Sequence, residues 1–127
     1  MRNTFYDSTK QEKLIRDGYV EMPLLNNDEV AYILRELNEM RPEDGFDPEL
    51  TQHVHSDYHC TFLDTNIEYK RRAHAVIREV FGPHLSKILD NYTILNGNFY
   101  VKPPFKGDFQ IHQNWTHTQN HGYTTVT

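Results

Sequence analysis

The most constraining feature of this sequence is a capped amphipathic stretch over residues 26–40. Asn26 can accept hydrogen bonds from the first free N–H groups of a helix, and Glu29 follows three residues later, as in a capping box. Apolar residues then recur at the i, i+3, i+4, i+7 spacing of one helical stripe, namely Val30, Ile33, Leu34, Leu37 and Met40. A helix with such a stripe must bury it against another element. The stretch is therefore predicted to be a core helix without catalytic residues.

A shorter helix is predicted before it, from Ser8 to Asp17. Ser8 and Gln11 have the spacing of a capping box, and Gly18 is suited to the left-handed conformation that ends many helices. The residues Tyr19–Met22 follow as an alternating run and are predicted to form a short strand. A strand between two helices favours mixed α+β packing near the start of the chain.

A third, longer helix is predicted from about Thr65 to Phe81. Asp64 can cap its first turn, and Gly82-Pro83 is typical of a helix end. Residues 84–90 are expected to add one short turn. The basic side chains are predicted to form a solvated face, opposite an apolar stripe made by Tyr69, Ala73, Val76, Ile77 and Val80.

Length and composition exclude several classes of protein. At 127 residues the chain is predicted to be a single domain. Its 13 basic and 18 acidic residues give a net charge of −5, which gives no electrostatic support to a nucleic-acid or anionic-membrane partner. No window has the unbroken apolar length of a membrane span or signal peptide, and the single Cys60 fits a reducing compartment. We therefore expect a cytoplasmic protein in which Cys60 is a small buried residue.

Candidate metal ligands lie on a strand predicted from Asp108 to Trp115. His112 and Asn114 are two residues apart on this strand. Because side chains alternate across a strand, both point to the same face. This spacing is typical of a metal site built on a sheet.

A second group of imidazoles is formed by His53, His55 and His59. Histidines at i and i+2 can share a strand face, so a zinc or iron site is one interpretation. The alternative is that these histidines are solvated or hydrogen-bonded residues on an irregular segment. The sequence favours the second interpretation, since such histidines outnumber metal ligands.

The residues around the candidate metal strand resemble those of a known family. The run Asn98-Phe-Tyr-Val-Lys-Pro-Pro, a short glycine-containing link and the run His112-Gln-Asn-Trp115 resemble the phytanoyl-CoA dioxygenase family. Members of that family use non-haem Fe(II) and 2-oxoglutarate. A fainter similarity extends to Asp17-Gly-Tyr-Val, Leu25-Asn-Asn-Asp-Glu-Val and Val80-Phe-Gly-Pro.

The resemblance implies an iron site in which His112 is the first ligand. Asn114 occupies the place where the family has an aspartate, and its amide is similar in shape to a carboxylate but uncharged. Such a site is expected to hold Fe(II) less tightly. The resemblance also implies that Asn98 and Tyr100 line the 2-oxoglutarate pocket, and that the region of His59 and Thr61 passes over the active-site mouth.

Residues 92–101 have two interpretations, one from local sequence rules and one from the family resemblance. Local rules predict a hairpin, because Asn96-Gly97 is a strong two-residue turn signal between alternating runs. The family pattern favours one continuous strand, in which Gly97 is a bulge or a point of close approach. We favour the continuous strand.

Together these features predict an α+β fold for residues 1–127. Helices in residues 1–90 are expected to pack on residues 91–127, which form the first strands of an incomplete double-stranded β-helix of the jelly-roll or cupin type. The family's later histidine and arginine are missing from this sequence, so we expect a fragment, a truncated product or half of an assembly. Self-association through an open sheet edge is expected for such a chain.

Two functions from different classes follow from the resemblance. The first is an Fe(II)- and 2-oxoglutarate-dependent oxygenase that hydroxylates a small metabolite. The second is a non-catalytic module, derived from an oxygenase, that binds a small molecule or a partner. Asn114 distinguishes these two functions, because iron binding depends on this residue and only the oxygenase requires iron.

Overall fold

The computed structural model describes residues 3–40 and 59–102, which contain three helices and a two-stranded antiparallel sheet. This mixture of helices and antiparallel strands belongs to the predicted α+β class. No helix in these two ranges is long and apolar enough to cross a membrane. In chain order the elements are α1 (Ser8–Asp17), α2 (Asn27–Glu39), β1 (His59–Cys60), α3 (Ile67–Ile88) and β2 (Tyr100–Val101).

Helix α1 has the predicted bounds and ends as predicted at Gly18, which is left-handed with φ of 80°. Its capping residue differs from the prediction. The side chain of Asp7, rather than that of Ser8, accepts hydrogen bonds from the backbone N–H groups of Thr9 and Lys10. The predicted capping box is therefore wrong, because a stronger acceptor stands one residue earlier.

Gln11 has a different role from the one its spacing indicates. Its side chain is buried, and its Oε1 accepts hydrogen bonds from the backbone N–H groups of Thr4 and Phe5 at 2.7 and 3.1 Å. Phe5 in turn forms an antiparallel bridge with Leu89, and the Asp90 N–H donates to the Thr4 carbonyl at 2.9 Å. Gln11 therefore holds the start of the chain against the end of α3.

The predicted strand at Tyr19–Met22 is wrong. These residues have no regular secondary structure, and the Tyr19 side chain is exposed. A strand is stable only when a second segment completes its ladder of hydrogen bonds. Among the residues that the structure describes, no segment pairs with this run.

Helix α2 begins with the predicted capping box. The Asn26 side chain accepts from the Glu29 N–H at 2.9 Å, and Glu29 Oε2 accepts from the Asn26 N–H at 2.8 Å. The stripe of α2 is buried unevenly. Met40 at its end is buried, whereas Val30 and Leu34 keep 42% and 54% of their surface exposed.

Helix α3 is longer than predicted and has a different cap. The Asn66 side chain accepts from the Tyr69 N–H and caps the helix, while Asp64 accepts from the Asn66 N–H and shapes the turn before it. The helix also continues through Gly82 and Pro83 to Ile88, so the predicted end at this dipeptide is wrong.

The sequence before Pro83 explains why α3 does not stop. Proline disfavours a helical residue before it mainly through a clash with that residue's Cβ, and Gly82 has none. Proline φ is itself helical, and what remains to be offset is one lost backbone hydrogen bond and the clash of the ring with the carbonyl four residues earlier. Beyond it, Leu85 and Ile88 are half-buried and Leu89 is buried, and this packing offsets the loss.

The core lies where the end of α2 meets the first half of α3. Met40, Tyr69, Ala73 and Val76 are buried together, and Tyr32, Ile33 and Phe99 pack against them. The predicted stripe of α3 is confirmed at its four buried positions, while Ile77 is half-buried. This core joins both helices to the segment that precedes β2.

The basic face of α3 is not simply solvated, because Arg72 also contacts α2. Its guanidinium donates to the carboxylates of Glu36 and Glu39 at 3.1 and 3.2 Å. Arg72 is about half exposed, so each of these ion pairs contributes little by itself.

Strands β1 and β2 pair with His59 opposite Val101 and Cys60 opposite Tyr100. Two further bonds extend the pairing beyond β1: the Thr61 N–H donates to the Phe99 carbonyl, and the Phe99 N–H donates to Thr61 Oγ1. These two bonds hold Phe99 in place immediately before β2.

Neither interpretation of residues 92–101 is fully correct. A tight two-residue hairpin needs a positive φ at glycine, and Gly97 does not have one, so the hairpin is wrong. Only Tyr100–Val101 pairs as a strand, so the continuous strand is shorter than predicted. The close approach at Gly97 is confirmed, because a Cβ at this position would lie 2.8 Å from Ile77 Cγ2.

Candidate functional site

The predicted site residues fall into two groups. His112 and Asn114, the candidate metal ligands, lie outside the residues that the structure describes, as do His53 and His55. Asn98 and Tyr100, predicted to contact 2-oxoglutarate, are described. The structure therefore places the residues assigned to the cosubstrate but not those assigned to iron.

Asn98 is half-buried and lines an open apolar groove with a volume of about 420 Å³. One wall of the groove is made by α2 and the residue before its cap. The wall consists of four apolar side chains, those of Leu25, Val30, Ile33 and Leu34. Since Val30 and Leu34 are partly exposed, this wall is accessible from solvent.

The opposite wall of the groove comes from the second half of α3, where Ile77, Phe81 and Leu85 follow one another along the helix face. The segment before β2 completes the lining with Ile94, Asn96, Asn98 and Phe99. The two asparagines flank Gly97, whose missing Cβ allows the backbone to lie against Ile77. Glycine at this position therefore lets the segment that carries the two asparagines approach α3 closely.

Tyr100 does not line the groove. It lies on β2 opposite Cys60, and 57% of its surface is exposed. Asn98 and Tyr100 are thus close in sequence but present their side chains to different surroundings.

His59 is a completely buried residue of β1. Its Nε2 lies 2.9 Å from the Tyr69 hydroxyl, and the two rings are tilted at 39° with centroids 5.8 Å apart. The predicted hydrogen bonding is thus confirmed for this histidine, but His59 lies on a strand and not on an irregular segment. Its neighbours Cys60 and Thr61 are also buried, so the prediction of a buried cysteine is confirmed.

The placement of His59 bears on the alternative metal site. Within residues 3–40 and 59–102, no three His, Cys, Asp or Glu side chains are grouped closely enough to hold a metal ion. A zinc site made from His53, His55 and His59 depends on two residues outside that part of the chain. The described member of the trio is already hydrogen-bonded to Tyr69.

A hydrogen bond that sequence analysis did not predict joins α2 to α3 beside the groove. His84 Nε2 donates to Glu29 Oε1 at 2.6 Å, and both side chains are about three-quarters buried. The hydrogen bond from the Asn26 N–H, and then that from His84, lower the pKa of the Glu29 carboxyl. Glu29 therefore serves the α2 cap with one oxygen and α3 with the other.

Sequence signals exist for only part of this arrangement. The capping box identifies Glu29, but His84 is 55 residues away and has no pattern that links it to α2. Comparison with known protein families, curated proteins and solved structures finds no match to the chain. The family resemblance therefore depends on the residue runs alone.

Proposed function

We propose that this protein is an Fe(II)- and 2-oxoglutarate-dependent oxygenase similar to the phytanoyl-CoA dioxygenase family, which hydroxylates a small metabolite. The observation that carries the proposal is the run from Asn98 to Pro104 followed by His112-Gln-Asn-Trp115. The finer architecture proposed with it is a helical layer packed on a jelly-roll sheet. The helices of the described ranges and the antiparallel β1–β2 pair support that architecture.

His112 and Asn114 would hold the iron. A neutral imidazole suits Fe(II), and an amide oxygen is an acceptable hard ligand that brings no charge. These two residues supply only part of the two-histidine, one-carboxylate set of Fe(II) oxygenases, so the site is expected to hold iron with reduced affinity. When bound, iron and 2-oxoglutarate together supply the oxidation of a C–H bond by O₂, with release of succinate and carbon dioxide.

Asn98 and Tyr100 would position the cosubstrate. A carboxamide and a phenol can both donate hydrogen bonds to a carboxylate. Each is accessible to some degree, since Asn98 is half-buried and Tyr100 is exposed. Their task is to bind and orient a dicarboxylate, while the substrate supplies the C–H bond.

The test is an anaerobic Fe(II) titration of the full chain, followed by measurement of succinate after addition of 2-oxoglutarate and air. We expect iron binding that His112→Ala abolishes and that Asn114→Asp strengthens. His74→Ala, on α3, is the matched control and should leave iron binding unchanged. Absence of His112-dependent iron binding in both the Asn114 protein and the Asn114→Asp variant would contradict the proposal.

The second candidate is a non-catalytic binding module derived from such an oxygenase. The observation that favours it is Asn114, an uncharged residue where the family has a carboxylate. The same assay separates the two candidates. Succinate formation by the Asn114 protein supports the oxygenase, whereas succinate formation only after Asn114→Asp supports the binding module.

A further inference from the structure

We propose that Asn96-Gly97 is a site of spontaneous deamidation in the folded protein, and that the isoaspartate formed there loosens the attachment of residues 94–99 to α3. Asn96-Gly97 is the one Asn-Gly pair in the 127-residue sequence. The inference goes beyond the proposed function, because it requires neither iron nor 2-oxoglutarate.

The reaction needs only these two residues and water. The backbone nitrogen of Gly97 attacks the side-chain carbonyl carbon of Asn96 and forms a C–N bond. The side-chain amide group leaves as ammonia, which also takes up the proton of the attacking nitrogen. Water then opens the resulting succinimide at either carbonyl. One opening gives aspartate, and the other gives isoaspartate, in which the backbone runs through the side-chain carbons of residue 96.

The surroundings of Asn96-Gly97 permit this attack. Glycine has no Cβ to shield its nitrogen, and its backbone can adopt conformations that other residues avoid. Residues 92–99 have no regular secondary structure, and Asn96 is exposed to water. Among the residues that the structure describes, none accepts a hydrogen bond from the Gly97 N–H. The attacking nitrogen can therefore react, and water can reach the succinimide.

Other asparagines of the described ranges lack this combination. Asn98 is only two residues further along, but the Phe99 N–H that follows it donates to Thr61 Oγ1 at 3.0 Å. Asn26 and Asn66 are helix caps, and the side-chain oxygen of each accepts a backbone N–H. In the first case the attacking nitrogen is already engaged, and in the other two the side chain is.

The position of Gly97 gives the modification a structural effect. The backbone here lies so close to α3 that a Cβ on Gly97 would be 2.8 Å from Ile77 Cγ2. Isoaspartate adds one carbon to the backbone immediately before this contact, and extra atoms in a tightly packed place force the backbone to shift. Aspartate adds a charge but leaves the length of the backbone unchanged. The isoaspartyl form, rather than the aspartyl form, should therefore loosen residues 94–99.

The experiment incubates the folded full chain at pH 7 and at pH 9 and follows each asparagine by peptide mass spectrometry. Asn98 is the matched control. We expect Asn96 to be converted roughly tenfold or more faster than Asn98, because poor placement of a nucleophile slows an intramolecular reaction by a large factor. Conversion should be faster at pH 9, where hydroxide removes the proton of the attacking nitrogen. Asn96→Gln should lose the modification, because its longer side chain closes a ring less readily.

A second measurement separates the two products. Chromatography resolves the aged protein into its aspartyl and isoaspartyl forms, and Asn96→Asp supplies a reference for the first of them. The isoaspartyl form should have a lower Tm than Asn96→Asp, since only the isoaspartyl form has a longer backbone before Gly97. Circular dichroism follows the unfolding and shows that each sample is folded at the start.

Three outcomes would overturn the inference. In the folded chain, Asn96 could react no faster than Asn98. Asn96 could also be converted only after denaturation in urea, which would mean that the folded structure protects it. An isoaspartyl form with the same Tm as Asn96→Asp would contradict the loosening of residues 94–99.

Discussion

The two halves of α3 have the same apolar periodicity but different surroundings. In the first half, Tyr69, Ala73 and Val76 are buried against Met40 and neighbouring side chains. In the second half Val80 is still buried, but Ile77, Phe81 and Leu85 are only half-buried and face an open groove. A helical stripe therefore shows which side of a helix is apolar, but not whether protein atoms fill the space beside it.

The difference arises from what lies opposite each half. The end of α2 carries Met40 inward, and β1 carries His59 to Tyr69, so the first half is covered. Opposite the second half, α2 presents Val30 and Leu34 at an angle that leaves both partly exposed. Substitutions in the two halves should consequently have different effects on stability.

The largest expected effect on stability comes from truncating a side chain that packs against the buried first half of α3. Met40→Ala should lower the free energy of unfolding by about 2–5 kcal/mol, because it leaves a cavity in the core. Leu34→Ala, on the same helix, should change it by no more than about 0.5 kcal/mol, since Leu34 is largely exposed. Urea denaturation of both variants measures the difference, and similar losses would mean that the groove is part of the core.

The next effect concerns the buried hydrogen bond in the first half. Tyr69→Phe removes the hydroxyl that lies 2.9 Å from His59 Nε2. The loss should destabilise the protein by about 1–3 kcal/mol, because the imidazole is completely buried. Tyr19→Phe, at an exposed position, is the control and should be neutral in the same denaturation assay. An unchanged free energy of unfolding in Tyr69→Phe would show that this hydrogen bond contributes little to stability.

Two glycines on the groove side should both lose stability on substitution by alanine, for different reasons. Gly97→Ala places a Cβ 2.8 Å from Ile77 Cγ2 and should cost about 1–3 kcal/mol through overpacking. At Gly82 the added Cβ would lie at an ordinary 3.8 Å from Ile94 Cδ1, but Gly82→Ala also places a Cβ against the Pro83 ring and should therefore destabilise α3. Thermal unfolding followed by circular dichroism measures both shifts, and a stabilising Gly97→Ala would disprove the close approach.

The smallest expected effect on stability tests the hydrogen bond between Glu29 and His84 beside the groove. The pKa of Glu29 is lowered in the folded state, so its charge contributes stability above its ordinary pKa of 4.5, and this is lost as the pH falls through the folded value. Glu29→Gln keeps the capping geometry but removes the charge. It should be less stable than wild type at pH 7, and the difference should shrink as the pH falls below 4.5 and Glu29 becomes protonated. A difference that persists at low pH would exclude the charge as its cause.

The sequence predicts those features that depend on neighbouring residues. The Asn26–Glu29 capping box, the left-handed Gly18 and the buried stripe of α3 all follow from local geometry. Asp7 and Asn66 were missed as caps because several competent side chains stand close together before each helix. Only backbone geometry decides which of them reaches the free N–H groups.

Features that depend on distant residues could not be predicted in the same way. The run Tyr19–Met22 has a strand pattern but no strand beside it in the described ranges, and α3 passes Pro83 because of packing further along the helix. The groove also has no local signature, since its lining comes from three separate segments. Only Gly97 indicated part of the groove, because the sequence predicted a close approach of the backbone at this residue.

The first residues of the chain close a long loop against the end of α3. The Tyr6 N–H donates to the Ile88 carbonyl, and the Thr4 and Tyr92 hydroxyls lie 3.4 Å apart across a separation of 88 residues. Bringing such distant segments together costs entropy that a helix does not have to overcome. We therefore expect the contacts between residues 4–6 and 88–92 to be among the last to form during folding and among the first to open. In hydrogen exchange under mild denaturant, the Tyr6 amide should lose protection before the amides in the middle of α3.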